Sequence, residues 1–436
     1  MQTPFPPTPA EILQQLIRFD TTNPPGNEAA CIGYMRDLLA QAGIPAEIAA
    51  GHPERPNLVA RLPGSGRSAP LLLQGHLDVV TTAGQDWQVP PFEGRLQDGW
   101  LWGRGALDMK GPFTLFLAAF LKARAEGLDL PGDVLLCALT DEEEGSLSGA
   151  RYLVERRPEL FDGVKYAFGE FGGFNLSMMG INFYPIMVAE KQGCWIKATF
   201  RGPGGHGSIP VQGGAMAKAA RALQLLDARR LPVHVTPAVR LMIERLAQAL
   251  PRASGAALRG LLNPLWTDAI LDVLGARGRL FYPLLHNTVS PTMLAASDKM
   301  NVIPSEVHLG LDGRLVPGFP PEQFFAELHH LIGPDFEIQP VAVEPAPGEP
   351  DMALFDRLAN VLRRLDPSGV PIPYVMPGVT DARFFSKLGI QTYGFTPLQL
   401  PADFNFLATV HAANERIPVK ALDFGVEAVY QALQIF

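Results

Sequence analysis

Apolar residues follow helical and strand spacing in turn along the first 190 residues. Helical spacing predicts helices at 9–18, 27–42, 112–126 and 147–156, and short apolar runs predict buried strands near 57–62, 71–75, 133–139 and 165–169. Strands that alternate with helices in this way form a largely parallel sheet flanked by helices. The first part of the chain is therefore predicted to be an α/β domain.

A different order of elements begins near residue 191. The pattern predicts a strand at 194–201, a helix at 214–229, strands at 288–296 and 305–315, a helix at 322–331 and a strand at 336–343. This β-α-β-β-α-β order is the ferredoxin-like arrangement. A Pro-rich stretch at 344–350 then returns the chain to the first domain. We expect a discontinuous catalytic domain (1–190 and 347–436) and an inserted ferredoxin-like α+β domain (191–346), which we call the lid.

The lid contains an additional helical segment, predicted at 238–285. Its apolar residues fit either a core face or a surface for a partner. We favour packing into a core.

Composition narrows the classes of protein. A chain of 436 residues is longer than one hydrophobic core usually accommodates, so two domains are expected. Its net charge of −8 disfavours nucleic acid and anionic membranes as partners. The three cysteines are scattered without metal-site spacing, which predicts a reducing cytoplasm. The first ten residues lack signal-peptide features, and the longest apolar stretch, 113–121, is shorter than the ~20 residues of a membrane span.

Two candidate metal-site residues, His76 and Asp78, follow the predicted strand at 71–75. Ligands of open α/β sheets bind at the carboxyl ends of the strands. Residues two positions apart on a strand face the same side, so Asp78 can accept from one imidazole nitrogen while the other binds a metal. Taken alone, an ordinary hydrogen-bonded pair is the more common explanation of such a motif.

Further metal-ligand types lie downstream. Asp108 precedes a predicted helix with Pro in its first turn, so it is either a ligand or the helix N-cap. The acidic run 141–146 follows a predicted strand and is either a solvated face or a site where one carboxylate binds metal beside a free general base. Glu170 ends another strand and His411 lies in a loop, with a plain carboxylate and a surface histidine as the alternatives. Together, two histidines and several carboxylates without cysteine match a catalytic zinc centre.

Longer motifs point to one family. They are Gly-His-Leu-Asp (75–78), Asp-Trp-Gln-Val-Pro-Pro-Phe (86–92), the run 98–111 around Gly-Arg-Gly and Asp-Met-Lys-Gly, Asp-Glu-Glu-Glu-Gly (141–145) and Asn-Val-Ile-Pro (301–304). The chain resembles the di-zinc metallopeptidase family of aminoacylase, acetylornithine deacetylase, succinyl-diaminopimelate desuccinylase, carboxypeptidase G and carboxypeptidase S. The resemblance runs from residues 18–26 to 411–418, nearly the whole chain.

The resemblance implies a role for each matching residue. Asp108 would bridge two metal ions, one completed by His76 and Glu170 and the other by Glu143 and His411. Glu142 would be the general base, and Asp78 would hold His76. The ions would be zinc, with cobalt and manganese as alternatives. One local departure concerns Glu170, because Phe171 separates it from the Gly-Gly pair that directly follows the glutamate in many members.

The lid carries candidates for substrate binding. His206 lies in a Gly-rich stretch that predicts a turn rather than a helix or strand interior. Arg314 follows Asp312 at a strand end and is either its salt-bridge partner or a bidentate clamp for a substrate carboxylate. The resemblance favours the clamp, with His206 and Asn301 near the scissile carbonyl, and it adds Gly378 in a turn near the active site.

These features predict a metal-dependent hydrolase. Its substrate would be an N-acyl amino acid or a short peptide cleaved at its C-terminal residue, by attack of metal-bridged hydroxide with Glu142 as the base. The resemblance also implies a homodimer formed through the lid. An aminopeptidase or dipeptidase of the same catalytic fold is the second choice, on the expectation that such aminopeptidases lack the inserted lid. A metal-dependent binding protein without turnover is the alternative of a different class, and the presence of Glu142 disfavours it.

Overall fold

The computed structural model describes residues 5–345 and 348–436. Its strands are β1 (Ala46–Ala49), β2 (Asn57–Leu62), β3 (Leu71–His76), β4 (Arg95–Gln97), β5 (Trp100–Trp102), β6 (Val134–Leu139), β7 (Tyr166–Gly169), β8 (Leu176–Met178), β9 (Ile181–Glu190), β10 (Gln192–Arg201), β11 (Gly205–His206), β12 (Thr288–Ala295), β13 (Val302–Ile303), β14 (Glu306–Leu315), β15 (Glu337–Val343), β16 (Val370–Met376), β17 (Gln391–Gly394) and β18 (Arg416–Pro418). Its helices are α1 (Pro9–Ile17), α2 (Ala29–Gln41), α3 (Lys110–Glu126), α4 (Ala150–Arg156), α5 (Ala215–Ala228), α6 (Pro237–Ala249), α7 (Arg252–Gly260), α8 (Thr267–Leu274), α9 (Tyr282–Leu285), α10 (Pro321–Ile332), α11 (Phe355–Leu365), α12 (Ala382–Phe385), α13 (Phe406–Thr409) and α14 (Val419–Ala432).

The chain divides into two compact units. Unit 1 comprises Met1–Val188, Pro350–Tyr374 and Thr380–Phe436, and unit 2 comprises Ala189–Glu349 and Val375–Val379. The predicted boundary at residues 346 and 347 lies outside the described residues. The short return of the chain to unit 2 at 375–379 has no counterpart in the sequence prediction. It is held there by a backbone bond from the N–H of Lys191 to the carbonyl of Met376, 3.0 Å long.

The large sheet of unit 1 has the strand order β1-β2-β6-β3-β7-β17-β9-β16, with β8 beside β9. Its centre, β6-β3-β7-β17, is parallel, and β1, β2 and β9 join it in antiparallel pairs. Every residue of β3 and β6 is buried, as expected for strands covered on both faces. The prediction of an α/β fold with a mostly parallel sheet flanked by helices is confirmed.

Helix α3 lies at the centre of unit 1. All of its residues from 110 to 121 are buried, because the helix contacts β3 and β6 on one side and packs against α1 and α14. The sheet residues Leu72 and Leu135 belong to another apolar cluster, with Leu153 of α4 and Phe385 of α12. The helices thus fix the sheet edge from which the candidate site residues project.

Unit 2 contains an antiparallel sheet with the order β12-β14-β10-β15. Alternate residues of β14, including Val307 and Leu311, are buried in one cluster with Ala219 of α5 and Phe324 of α10. The intervening residues of β14, Arg314 among them, are only partly buried. The chain order β10, α5, β12, β14, α10, β15 is the ferredoxin-like order predicted from the sequence.

The additional helical segment comprises α6 to α9. Some of its apolar side chains are buried and others are exposed. Helix α6 buries Val239 and Ile243, which agrees with the favoured core interpretation. The region around α8 instead exposes the large apolar side chains Leu265, Trp266, Val273 and Leu280.

No helix within residues 5–345 and 348–436 is long and apolar enough to cross a membrane.

Candidate metal centre

The candidate site lies at the carboxyl ends of three neighbouring strands of unit 1. His76 is the last residue of β3, the acidic run begins two residues after β6, and Glu170 directly follows β7. Parallel strands in the order β6-β3-β7 end at the same edge of the sheet, so side chains distant in sequence meet there.

One group of potential metal ligands consists of His76, Asp108 and Glu170. His76 Nε2 lies 3.1 Å from Asp108 Oδ1 and 3.6 Å from Glu170 Oε2. All three side chains are buried, and one ligand atom of each lies within 4.8 Å of the others. The structure thus brings together the three residues that the sequence analysis assigns to one ion.

A second group consists of Asp108, Glu143 and His411. His411 Nε2 lies 3.0 Å from Asp108 Oδ2 and 3.2 Å from Glu143 Oε1. The two oxygens of Asp108 therefore face different histidines, as a carboxylate shared by two ions requires. The alternative role of Asp108 as an N-cap is wrong, because Met109 occupies the N-cap of α3 and makes no side-chain capping bond.

Glu170 reaches the group despite the local departure in sequence. Phe171 adopts a positive φ of 56°, and its ring packs edge-on against Phe406. The following Gly172 is required by close packing, since a Cβ there would lie 2.1 Å from the carbonyl oxygen of Gly394. The chain thus turns away after Glu170 and leaves that carboxylate at the strand end.

The buried carboxylate of Asp78 organises the acidic turn. Its Oδ1 and Oδ2 accept the backbone N–H groups of Glu142 and Glu143, each at 3.1 Å, in the 3-10 turn Glu142–Glu144. His76 Nδ1 lies 3.0 Å from the backbone oxygen of Asp78 and 3.4 Å from Oδ1. Asp78 therefore contacts His76 as expected, but the acceptor closest to His76 Nδ1 is the main-chain carbonyl oxygen of Asp78 and not its carboxylate. With its proton on Nδ1, His76 could present the Nε2 lone pair to a cation held between it, Asp108 and Glu170.

The two adjacent glutamates have different surroundings. Glu143 faces His411, whereas Glu142 Oε1 lies 3.6 Å from Arg383 Nη1 and belongs to neither ligand group. Burial raises the pKa of Glu142 well above its usual range, and the nearby charge of Glu170 raises it further. Only Glu144 of this turn is exposed, so a solvated acidic face does not describe it.

Negative charge is concentrated in this site. Burial raises the pKa of Glu143 and brings that of Glu170 to about 7. Hydrogen bonds with Asp108 and Glu143 raise the pKa of His411 to about 10. For His76, burial opposes protonation, but hydrogen bonds to Asp108, Asp78 and Glu170 raise its pKa above the usual value. Oxygen and nitrogen donors that share buried negative charge fit a pair of divalent cations, and these donor types suit zinc.

Several supporting residues had no assigned role from sequence. Asn23 donates to Asp78 Oδ2 at 2.8 Å and to Asp141 Oδ1 at 3.1 Å. Arg383 approaches Glu142, and no role was predicted for this arginine. Asn23 lies inside the matching motif at 18–26, so the motif indicated its position but not its contact.

The substrate-binding candidates of unit 2 are arranged as follows. His206 is exposed and ends the two-residue strand β11, where it pairs with Val302 of β13. A turn follows directly, so His206 lies at a strand end beside a turn and not in a strand interior. A Cβ at Gly207 would lie 3.2 Å from the carbonyl oxygen of Asn301, and the N–H of Gly207 bonds to that carbonyl at 2.8 Å. This ladder brings His206 and Asn301 together.

Arg314 forms the salt bridge that was one of its two predicted roles. Its Nε and Nη2 lie 2.7 and 3.0 Å from the two carboxylate oxygens of Asp312. Gly378 lies in the segment Val375–Val379 of unit 2, and a Cβ there would meet only the methyl end of Met376, at 3.0 Å.

Comparison with known proteins identifies the family. The profile of peptidase family M20/M25/M40 matches residues 72–435, so the chain belongs to this family. The chain is 29% identical to human N-fatty-acyl-amino acid synthase/hydrolase PM20D1 over 382 residues, which is 84% of this chain and 74% of that protein. It is 23% identical to pig aminoacylase-1 over 437 residues, covering 97% and 93% of the two chains. Membership and these relatives make the protein a hydrolase, and the resemblance inferred from the motifs is confirmed.

Solved structures share the fold. The M20 metallo-carboxypeptidase Sso-CP2 from Sulfolobus solfataricus has a TM-score of 0.66 at 16% identity, with 98% of both chains covered. The Bacillus subtilis YXEP protein, described as a dinuclear metal binding peptidase, has a TM-score of 0.63 at 13% identity and covers 98% of this chain and 96% of its own. Both alignments extend through units 1 and 2.

We expect the protein to bind two divalent ions per chain. Elemental analysis after zinc loading should give about two ions, and a chelator should abolish hydrolysis reversibly. Asp108→Asn should lower the occupancy of both ions, whereas His411→Ala should lower only one. Full activity in thoroughly metal-stripped protein would contradict this assignment.

Proposed function

We propose that the protein is a zinc-dependent hydrolase that cleaves the amide bond of an N-acyl amino acid or of the C-terminal residue of a short peptide. The observation that carries the proposal is the pair of ligand groups that share Asp108, with Glu142 beside them and outside both. A carboxylate close to a metal pair but outside its ligand groups is available to transfer protons. The residues that would hold the ions are His76, Asp108, Glu143, Glu170 and His411.

The chemistry divides between the ions and Glu142. Zinc bound by these residues would supply Lewis acidity, to polarise the scissile carbonyl and to acidify a water molecule. Glu142 takes a proton from the attacking water and then returns it to the leaving amine. Arg383, 3.6 Å from Glu142 Oε1, balances part of the charge of this carboxylate. Asp78 holds the turn that separates the base from the ligand Glu143.

The names of the relatives support an acylated amino acid as substrate. PM20D1 is named for N-fatty-acyl-amino acids and aminoacylase-1 for acylated amino acids. Such substrates carry a free carboxylate, which a guanidinium can bind with two parallel hydrogen bonds. Arg314 is our candidate for that contact, with His206 and Asn301 close to the scissile carbonyl and Gly378 in a nearby turn.

One observation supports the alternative that the protein is an aminopeptidase or dipeptidase. The expectation that aminopeptidases of this fold lack the inserted domain is wrong, because the Bacillus cereus aminopeptidase PepT aligns with 98% of this chain at a TM-score of 0.64. At 15% identity that likeness concerns the fold alone. Amine release from N-acyl amino acids, dipeptides and aminoacyl amides therefore distinguishes the activities, and we expect N-acyl amino acids to be the best substrates.

We further propose a homodimer formed through unit 2. Strand β12 is at the edge of its sheet, and it exposes Met293 and Leu294. An uncovered edge strand with apolar residues can pair with a second copy. The three cysteines are unpaired and buried, in keeping with the cytoplasmic location that we propose.

The two adjacent glutamates should behave differently on substitution. Glu142→Gln should retain both ions and lose at least ~10²-fold in kcat, in line with the contribution of a general base. Glu143→Gln should lose metal as well as activity. Metal content and kcat measured on the same samples test this, and loss of an ion from Glu142→Gln but not from Glu143→Gln would reverse the two roles.

Arg314→Ala should discriminate between acids and amides. If Arg314 binds the substrate carboxylate, the loss of about 1.5–3 kcal/mol expected for a hydrogen bond to a charged group should appear in kcat/KM for N-acyl amino acids and not for their amides. Asp312→Asn is the matched control, since it removes the salt bridge and leaves the guanidinium free. Equal losses on both substrates would mean that Arg314 does not bind the substrate carboxylate and has only a structural role, through its salt bridge with Asp312.

His206 should act on the active site of the neighbouring subunit. His206→Ala and Glu142→Gln chains should each be nearly inactive alone. After subunit exchange in an equal mixture, half of the dimers contain one site with both groups intact, so about a quarter of normal activity should return. Exchange shown by tagged subunits without any recovery would rule out this donation, as would a monomer that still needs His206.

A further inference from the structure

A buried ion pair lies beside the candidate metal centre in unit 1. Arg104 and Glu415 are both fully buried, and Arg104 Nη1 lies 2.6 Å from Glu415 Oε2. Desolvation of two charges offsets much of their attraction, so a buried pair is weak evidence for a contribution to stability. Its remaining hydrogen bonds show what else the pair does.

The second oxygen of Glu415 holds the turn that carries Asp108. Glu415 Oε1 accepts the backbone N–H of Leu107 at 2.6 Å and that of Asp108 at 3.1 Å. The backbone oxygen of Glu415 accepts from the N–H of Gly103 at 2.9 Å. Three bonds from one residue thus fix the main chain immediately before and at Asp108.

The second amino group of Arg104 holds the loop that carries His411. Arg104 Nη2 donates to the backbone oxygen of His411 at 3.1 Å and to Gln85 Oε1 at 2.8 Å. Gln85 Nε2 also donates to the oxygen of His411, at 2.8 Å. His411 has a positive φ of 61°, a backbone conformation that is uncommon for non-glycine residues and that these hydrogen bonds help to hold.

We propose that the Arg104–Glu415 pair positions two ligands of the metal centre, Asp108 through Glu415 and His411 through Arg104 and Gln85. The inference rests on the proposed metal-dependent function. Neither charged residue belongs to a ligand group, so both are positioning residues. Because Asp108 belongs to both groups and His411 to one, the two halves of the pair should affect the ions differently.

Metal affinity measured without turnover tests the proposal. Zinc is titrated into metal-stripped protein in competition with a chromophoric chelator. Glu415→Gln replaces one acceptor by an NH₂ group, so either the N–H groups of Leu107 and Asp108 or Arg104 lose their partner. Both ions should bind about 10–100-fold more weakly, the range for residues that orient metal ligands. Gln85→Met leaves the ion pair intact and should weaken one ion by about 10-fold.

Assignment of that ion uses a second substitution. In a His411→Ala background, the remaining ion would be held by His76, Asp108 and Glu170. Adding Glu415→Gln should still weaken it, whereas adding Gln85→Met should leave it unchanged. Weakening by Gln85→Met in this background would overturn the division of roles.

A matched control separates positioning from general stability. Tyr184→Phe removes a buried 2.8 Å hydrogen bond to Asp366, and neither residue belongs to a ligand group. It should lower the melting temperature of the metal-free protein with both zinc affinities unchanged. If Glu415→Gln and Gln85→Met behave in the same way, the pair is purely structural and the proposal is wrong. Failure of the unaltered protein to bind zinc would overturn the proposed function first, and this inference with it.

Discussion

The site depends on one carboxylate, that of Asp108, which lies between two imidazoles. Its two oxygens are 3.1 and 3.0 Å from His76 and His411, so one side chain belongs to both ligand groups. The glutamates of the two groups add negative charge that burial makes costly, as the raised pKa values of Glu143 and Glu170 indicate. Such an arrangement is stable only where cations compensate it and where the surrounding backbone is held rigidly.

Each ligand is held by a different element. The parallel strands bring His76 and Glu170 to one edge, and Asp78 fixes the turn with Glu143. Asp108 and His411 lie in loops, which have more freedom than strand ends. Strand β5 precedes the loop of Asp108 and β18 follows the loop of His411, so the pairing of these strands limits this freedom. The bonds of Arg104 and Glu415 limit it further.

The sequence correctly predicted the elements whose apolar pattern lies within one continuous stretch of the chain. The buried runs at β3, β6 and β7 and the helix after Asp108 have strong apolar signals, and the motifs identified the family. The short strands β4, β5 and β18 were not predicted, because three residues give no clear period. In addition, the pairing of β5 with β18 joins segments about 300 residues apart. The ladder at His206 was missed for the same reason, since glycine-rich sequence favours a turn unless a distant strand pairs with it. The contact of Arg383 with Glu142 likewise has no local signal.

The candidate metal ligands and the candidate substrate-binding residues lie in separate parts of the chain. Every residue of the two ligand groups lies in unit 1, together with Glu142, whereas His206, Asn301 and Arg314 lie in unit 2. If the proposed substrate contacts are made, we expect changes in unit 2 to alter the preferred substrate without disturbing the candidate ligands. The fold supports this division, because the sheet of unit 2 has its own core beneath α5 and α10. In a family whose members are named for acyl amino acids and carboxypeptidase activity, such a division would let similar sites act on different substrates.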